Sequence, residues 1–218
     1  MERATIQTAV ALLSGGLDSG VALAMWLDAG ASVELAVTVD YGQRSAAREL
    51  AVGEALAARY GVPWQRLELP WLGEVAAGSA LVAGGPELPR RTVDAPGDER
   101  SAAAVWIPAR NVVLIAAAAA IAEARGAGSV LVGFNREEAA TFPDNSTDFV
   151  DRFRAVLALG TRCGVGVDSP TLSLTKVEIV AEARRLGLVP EDFWSCYGGG
   201  RSPCGECESC VRSARAWG

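Results

Sequence analysis

The chain has 218 residues, half of them hydrophobic and 21% charged, and its 20 Lys and Arg against 26 Asp and Glu give a formal net charge of −6. This length and balance suit one large globular α/β domain with a small appendage, and they exclude a disordered chain and a broad basic surface for stable nucleic-acid binding. Histidine is absent altogether, which excludes a His-based triad, an imidazole general base and any His metal ligand.

In chain order, the opening Met-Glu-Arg-Ala-Thr carries no signal-peptide pattern. An apolar strand is predicted over residues 8–13 and a helix over 18–29, with Ser14-Gly-Gly-Leu-Asp-Ser19 between them. A strand, a small-residue turn and a helix present backbone N–H groups to an anion. Gly15 and Gly16 allow close approach of a phosphate, Ser14 and Ser19 add hydroxyls, and Asp18 can hold Mg2+ beside it. No Lys follows the glycines, so this is not the GxxxxGK[ST] loop. Further strands are predicted over 33–39, 64–69 and 129–133, and helices over 45–60, 110–125, 147–160 and 175–186. Gly30, Gly61, Gly126 and Gly187 stand where helices should stop. Alternation of this kind predicts a doubly wound parallel sheet covered on both faces. Asp40, at the tip of the second strand, falls where such a sheet binds its ligand. The helix over 110–125 is apolar nearly all round and is expected to be the most buried. Its apolar run, residues 112–122, is too short to cross a bilayer, so a cytoplasmic protein is expected. Residues 70–106, rich in Gly, Pro and Ala with a charged tail, break the pattern and are expected to form a lid or flexible loop.

Four of the five cysteines fall in Cys196-x7-Cys204-x2-Cys207-x2-Cys210. Such clustering reads as a closed, structural Zn2+ site of four thiolates, with Arg201, Arg212 and Arg215 available to offset its negative charge. An iron–sulfur cluster and a disulfide pair are the alternatives. Cys163 stands apart and is expected to be a small buried or pocket-wall residue rather than a nucleophile.

The order and spacing of several short motifs make the chain similar to the 7-cyano-7-deazaguanine synthase (QueC) family of the ATP pyrophosphatase superfamily. These motifs are Ser14-Gly-Gly-Leu-Asp-Ser19, Asp40-Tyr-Gly-Gln-Arg44, Ile107-Pro-Ala-Arg-Asn111, Phe142-Pro-Asp144, Leu174-Thr-Lys-Val-Glu178 and Trp194-Ser-Cys-Tyr197 with the cysteines beyond it. The resemblance implies an adenine-nucleotide alpha-hydrolase-like (ATP pyrophosphatase) fold over residues 1–190, a zinc-binding segment over 191–218, and a homodimer. It also implies a reaction. ATP adenylates the carboxylate of 7-carboxy-7-deazaguanine, ammonia displaces AMP to give an amide, and a second adenylation yields the nitrile.

Carried over residue by residue, the resemblance implies that Leu13, Ser14, Gly15, Gly16, Leu17, Asp18, Ser19, Gly20, Val21 and Asp40 hold ATP. Asp18, Arg110 and Lys176 are the catalytic candidates, the two cations neutralising charge on the α-phosphate and the carboxylate. Tyr41, Gln43, Arg44, Arg110, Asn111, Phe134, Phe142 and Asp144 are the candidates for the deazaguanine; Asp144 accepts from its N–H edge and Phe134 or Tyr41 stacks on it. Two departures touch the acceptor. Ser45 stands where many members carry His, and Thr141-Phe-Pro-Asp-Asn-Ser146 where many read Gly-Tyr-Pro-Asp-Cys-Arg. Alternatives therefore stay open at this point: transfer of the activated carboxylate to another amine such as a protein terminus, a tRNA-thiolating relative, or ATP binding without turnover.

Overall fold

A computed structural model describes residues 7–90 and 99–218, with the side chains of residues 99 and 100 excepted. What the sequence suggested for residues 1–6 and for the charged stretch within 91–98 lies outside the described residues. Five strands, β1 (Thr8–Leu12), β2 (Ser32–Asp40), β3 (Trp64–Glu68), β4 (Ser129–Leu131) and β5 (Gly166–Asp168), form one sheet in the order β3-β2-β1-β4-β5. Every pairing is parallel. The middle strands are covered on both faces, so their sequences are almost continuously apolar and buried. β3 lies at an edge, where the exposed Gln65, Arg66 and Glu68 discourage further pairing.

Helices α1 (Leu17–Asp28) and α2 (Ala46–Arg59) follow β1 and β2. After β3 come α3 (Pro70–Val75), α4 (Glu99–Ala104) and α5 (Arg110–Arg125). The chain then forms α6 (Arg136–Ala139) and α7 (Thr147–Gly160) on either side of a short 3-10 turn, and ends with α8 (Lys176–Arg185) and α9 (Glu208–Trp217). Two apolar layers result. On one face Ala9, Ala11, Leu13, Val21, Leu23, Leu131, Ile179 and Leu188 join the sheet to α1 and α8. On the other Val10, Val37, Ile115, Ala119, Val130, Val150 and Phe153 join it to α5 and α7.

The four helix-ending glycines adopt left-handed backbone conformations. In each case the following N–H reaches back into the last turn: Ala31 to Trp26, Val62 to Ala57, Ala127 to Ala122 and Leu188 to Ala183. α8 starts on a capping box between Thr175 and Glu178.

Three elements differ from expectation. α5 is not the most buried helix: it buries Asn111, Ile115, Ala118, Ala119 and Ala122, whereas Val112 is 41% exposed. α1 buries more of itself, because much of α5's apolar character is alanine, whose small side chain loses little by facing water. Cys163 is exposed rather than buried, in the turn between α7 and β5. The described parts of segment 70–106 supply α3 and α4, and Leu72, Ala76, Leu81, Val82 and Val105 enter the core. Val82 makes an antiparallel bridge to Gln43. Among the described residues no helix is long and apolar enough to cross a membrane.

Candidate active site

The order β3-β2-β1-β4-β5 reverses direction between β1 and β4. At such a switch point the connections leave the carboxyl ends of neighbouring strands in opposite directions and open a crevice. The loop after β1 and the chain after β4 form its walls. Gly15 has a left-handed backbone (φ +74°), and a Cβ there would lie 3.0 Å from the Glu49 carbonyl oxygen of α2. Ser14 Oγ lies 3.0 Å from Ser19 Oγ, which also accepts from the Ser14 N–H at 3.2 Å, so the loop is closed by its own serines. The first N–H groups of α1 have no intrahelical partner, and their residues Leu17, Asp18 and Ser19 line the crevice.

Gly133, just beyond β4, fixes the other wall. A Cβ there would sit 2.4 Å from the Ser19 nitrogen and 2.5 Å from its Cα. Gly133→Ala is therefore expected to push the start of α1 off the sheet, destabilising the fold by about 1–3 kcal/mol and weakening nucleotide binding more than tenfold. Paired thermal melts and ATP titrations check this; unchanged affinity would contradict the account of the close contact.

A cavity of about 270 Å3 occupies the crevice. Of the residues proposed from sequence, Leu13, Ser14, Gly16, Leu17, Asp18, Ser19, Tyr41, Arg110, Asn111, Phe134 and Lys176 line it, and so does Cys196. A smaller cavity of about 50 Å3 shares Arg110 with it and adds Phe142 and Asp144. Phe142 stacks on Trp106 there, ring centroids 6.2 Å apart.

Several proposed residues do not line either cavity. Gly15 lies behind the loop, Gly20 is pressed on the Phe193 ring, where a Cβ would fall 2.6 Å from a ring carbon, and Val21 is in the core. Asp40 turns to the edge of the sheet, accepting from the Gly42 N–H at 2.9 Å and pairing with Arg66 at 2.7 Å. Gln43 is buried as a loop brace: its side-chain oxygen accepts from the Tyr41 N–H, and its amide donates to the Val39 carbonyl and to Glu49. Arg44 spends its guanidinium on the Ala80, Gly85 and Pro86 carbonyls and so clamps the following segment.

The crevice is charged. Lys176 Nζ contacts Asp18 Oδ2 and lies 2.9 Å from Glu138 Oε1. Burial pushes the Asp18 carboxyl up to about 6 against the pull of Lys176. Burial opposes the charge on Lys176 as well, but the two carboxylates hold it firmly protonated. Asp18 Oδ1 is buried with no hydrogen-bond partner among the described residues. A buried carboxylate oxygen left so suits a hard divalent cation. Across the cavity the Arg110 guanidinium faces the Tyr41 hydroxyl, Asp144 and Tyr197. Arg110 follows Ala109, the N-cap of α5 and the one non-glycine residue with positive φ (53°) among the described residues. Strain of that kind immediately before a cavity arginine marks a position held for function. Asp144 is raised by burial, opposed by Arg110; its Oδ1 accepts from Asn145, and its carbonyl from the Asn111 amide.

The sulfur atoms of Cys196, Cys204, Cys207 and Cys210 lie within 4.8 Å of one another. Four convergent sulfurs can hold one metal ion. Backbone N–H groups of Gly198 and Cys204 point at the Cys196 sulfur and that of Cys207 at the Cys204 sulfur; at Cys196 they oppose the burial that raises its thiol. A hydrogen bond from Cys210 pulls the Cys207 thiol down to about 5. Of the three arginines expected to balance this centre, Arg201 and Arg215 are exposed, and Arg212 pairs with Glu208 at 2.6 Å beside the large cavity. The cluster is tied to the crevice. Trp194 donates its N–H to the Gly15 carbonyl at 2.8 Å, and Trp194, Ser195, Cys196 and Tyr197 are cavity wall. Arg48 of α2 covers the Trp194 ring and bonds the Gly200 carbonyl.

Sequence reasoning did not single out Asn135, Glu138 or Glu49. Asn135 is fully buried; its amide donates to Asp18 at 3.2 Å and its oxygen accepts from the Glu138 N–H at 2.9 Å. The signal was present: Asn135-Arg-Glu-Glu138 after a predicted strand is a helix-start pattern at a strand's carboxyl end. Glu49 is held by Ser45 Oγ at 2.5 Å and the Gln43 amide at 2.9 Å, so Ser45 is a buried partner of a cavity carboxylate.

Comparison with known proteins gives a consistent result. The family described as queuosine biosynthesis protein QueC matches residues 8–218. The 7-cyano-7-deazaguanine synthase of Methanothermobacter thermautotrophicus is 44% identical over 211 residues, covering 96% of this chain and 93% of that protein. The protein of the same name from Desulforudis audaxviator is 48% identical over 210 residues (95% and 94% covered), and that from Pelotomaculum thermopropionicum 47% over 211 residues (95% of each).

Proposed function

This chain belongs to the QueC family of queuosine biosynthesis proteins, and from that membership we propose that it converts 7-carboxy-7-deazaguanine and ammonia to 7-cyano-7-deazaguanine with consumption of ATP. The observation that supports this most is the convergence of the loop after β1 with Arg110 and Lys176 on one cavity of about 270 Å3. The backbone of Ser14–Ser19 would take the pyrophosphate portion of ATP at the start of α1. Lys176 and Arg110 would flank the α-phosphate and the attacking carboxylate, where negative charge spreads in the transition state. Asp144 and Phe142, beside the smaller cavity, and Phe134 in the larger, would bind the purine-like ring by hydrogen bonding and contact with its face. In-line transfer of this kind needs geometry and charge more than a proton relay, which fits a chain without histidine.

Mg2+ fits Asp18, whose unpartnered Oδ1 would be a ligand; when bound, the ion neutralises phosphate charge. Zn2+ fits Cys196, Cys204, Cys207 and Cys210, a closed four-thiolate set with a structural role. Free thiols so close together suit the reducing cytoplasm, where we place the protein; we carry over the homodimer as part of the same reading. The test is pyrophosphate release from ATP and Mg2+ with and without 7-carboxy-7-deazaguanine. Release that depends on the acid is expected. Release indifferent to it would overturn the assignment.

A further inference from the structure

The reaction just assigned, on which this inference rests, strips ammonia of every proton. Amide formation makes a C–N bond, breaks the C–O bond to AMP and releases one N–H proton. Adenylation of the amide oxygen displaces pyrophosphate and leaves a cationic O-adenylyl imidate bearing two N–H protons. Loss of one gives the neutral imidate; loss of the second, with cleavage of the C–O bond, gives the nitrile and AMP. A base must stand beside that nitrogen, and the chain has no histidine.

Four carboxylates line the two cavities among the described residues: Asp18, Glu49, Glu138 and Asp144. Three are committed. Asp18 holds Lys176 and Asn135 through one oxygen and offers the other to a cation. Both Glu49 oxygens are taken, by Ser45 and by Gln43. Asp144 is engaged by Asn145 and borders only the smaller cavity. Glu138 differs. It alone of the four borders both cavities, at the junction between the phosphate end and the aromatic end formed by Trp106 and Phe142. Its Oε1 meets Lys176 at 2.9 Å, yet 27% of its side chain remains exposed. The other proton-carrying groups nearby cannot substitute: Lys176 is held charged between two carboxylates, and burial keeps the Tyr41 and Tyr197 phenols protonated.

We propose that Glu138 is the catalytic base that removes the N–H protons as amide becomes nitrile. Lys176 holds this carboxylate ionised and keeps Asp18 as its partner when Glu138 takes the proton. The partly open side chain then returns the proton to solvent. The protonated imidate is acidic, and the second N–H becomes acidic in turn as the C–O bond to AMP breaks, so a carboxylate is base enough for both losses.

The test is Glu138→Gln, which keeps the shape and an oxygen for Lys176 but cannot accept the proton. With 7-carboxy-7-deazaguanine and ATP, exchange of labelled pyrophosphate into ATP is expected within about threefold of the parent protein, which shows the first adenylation intact. Conversion of added amide and ATP to nitrile is expected to fall about 10²–10⁴-fold, and with the acid, ATP and ammonium supplied instead the amide is expected to accumulate. Equal loss in both assays would overturn the proposal, because Glu138 would then act only by positioning Lys176. No loss in either would overturn it too. Should Glu138→Gln fold poorly, Glu138→Asp repeats the split with the carboxylate drawn back by one methylene. Failure of the parent protein to exchange pyrophosphate would count against the assigned reaction itself and is read separately.

Discussion

Asp18→Asn is expected to lower ATP-dependent turnover by about 10³-fold or more while leaving the melting temperature within a few degrees of the parent protein. The two effects separate because Asp18 is placed for charge that arrives with the substrate. Without ligands, one cation, Lys176, sits between two carboxylates, Asp18 and Glu138. Burial raises the Asp18 carboxyl to about 6, which means the folded protein holds this charge at a cost. Neutralising it leaves Lys176 paired with Glu138 at 2.9 Å, a balanced couple. Turnover suffers because the unpartnered Oδ1 is replaced by a group that binds a divalent cation far less well, whichever way the amide faces. Lys176→Met is the control with the opposite stability signature. It leaves two carboxylates in one crevice without their cation, and a loss of about 3–5 kcal/mol is expected. Melting curves with steady-state ATP turnover check both. Retained turnover in Asp18→Asn would contradict its role at the phosphate.

Cys207→Ser is expected to remove the metal and to weaken nucleotide binding at a distance. The serine is not itself disruptive, since Cys207 is the N-cap of α9 and serine is the better cap. Any destabilisation therefore comes from the lost ligand. A structural metal contributes directly to folding, and loss of a few kcal/mol of it would lower the melting temperature by about 5–10 °C in a domain of this size. Segment 194–197 is then released from one end while Trp194 remains tied to Gly15 and covered by Arg48 at the other. Cys196 is both a member of the sulfur cluster and cavity wall, so ATP affinity should fall with metal content. Elemental analysis should find about one zinc per chain in the parent protein and almost none in the variant. Full zinc occupancy in Cys207→Ser would mean that the ligand set is wrong.

The turn between β1 and α1 was legible in sequence because its requirements are local: a buried strand, a glycine where α2 comes within 3.0 Å of a Cβ, and a helix start. The helix ends were legible for the same reason, each needing a left-handed residue. The cysteine cluster was legible from spacing alone. β5 was missed because three residues, Gly166–Asp168, are too few to show a period. Arg44 and Asp40 stand in the expected motif, but their side chains are claimed by partners that local sequence does not reveal: the carbonyls of residues 80, 85 and 86, and Arg66 on the edge strand. Glu138 was missed for a different reason. Its meaning lies in facing Lys176, which is far away in the chain and meets it only once β4 and α8 pack on the same end of the sheet.

The central claim is that this crevice activates a deazaguanine carboxylate and delivers it to ammonia. Mass spectrometry of the products after mixing the protein with ATP, Mg2+, ammonium and 7-carboxy-7-deazaguanine tests that claim most directly. The account predicts 7-cyano-7-deazaguanine, with AMP and pyrophosphate formed alongside it. Recovery of the unchanged acid from a folded, zinc-loaded protein would contradict it.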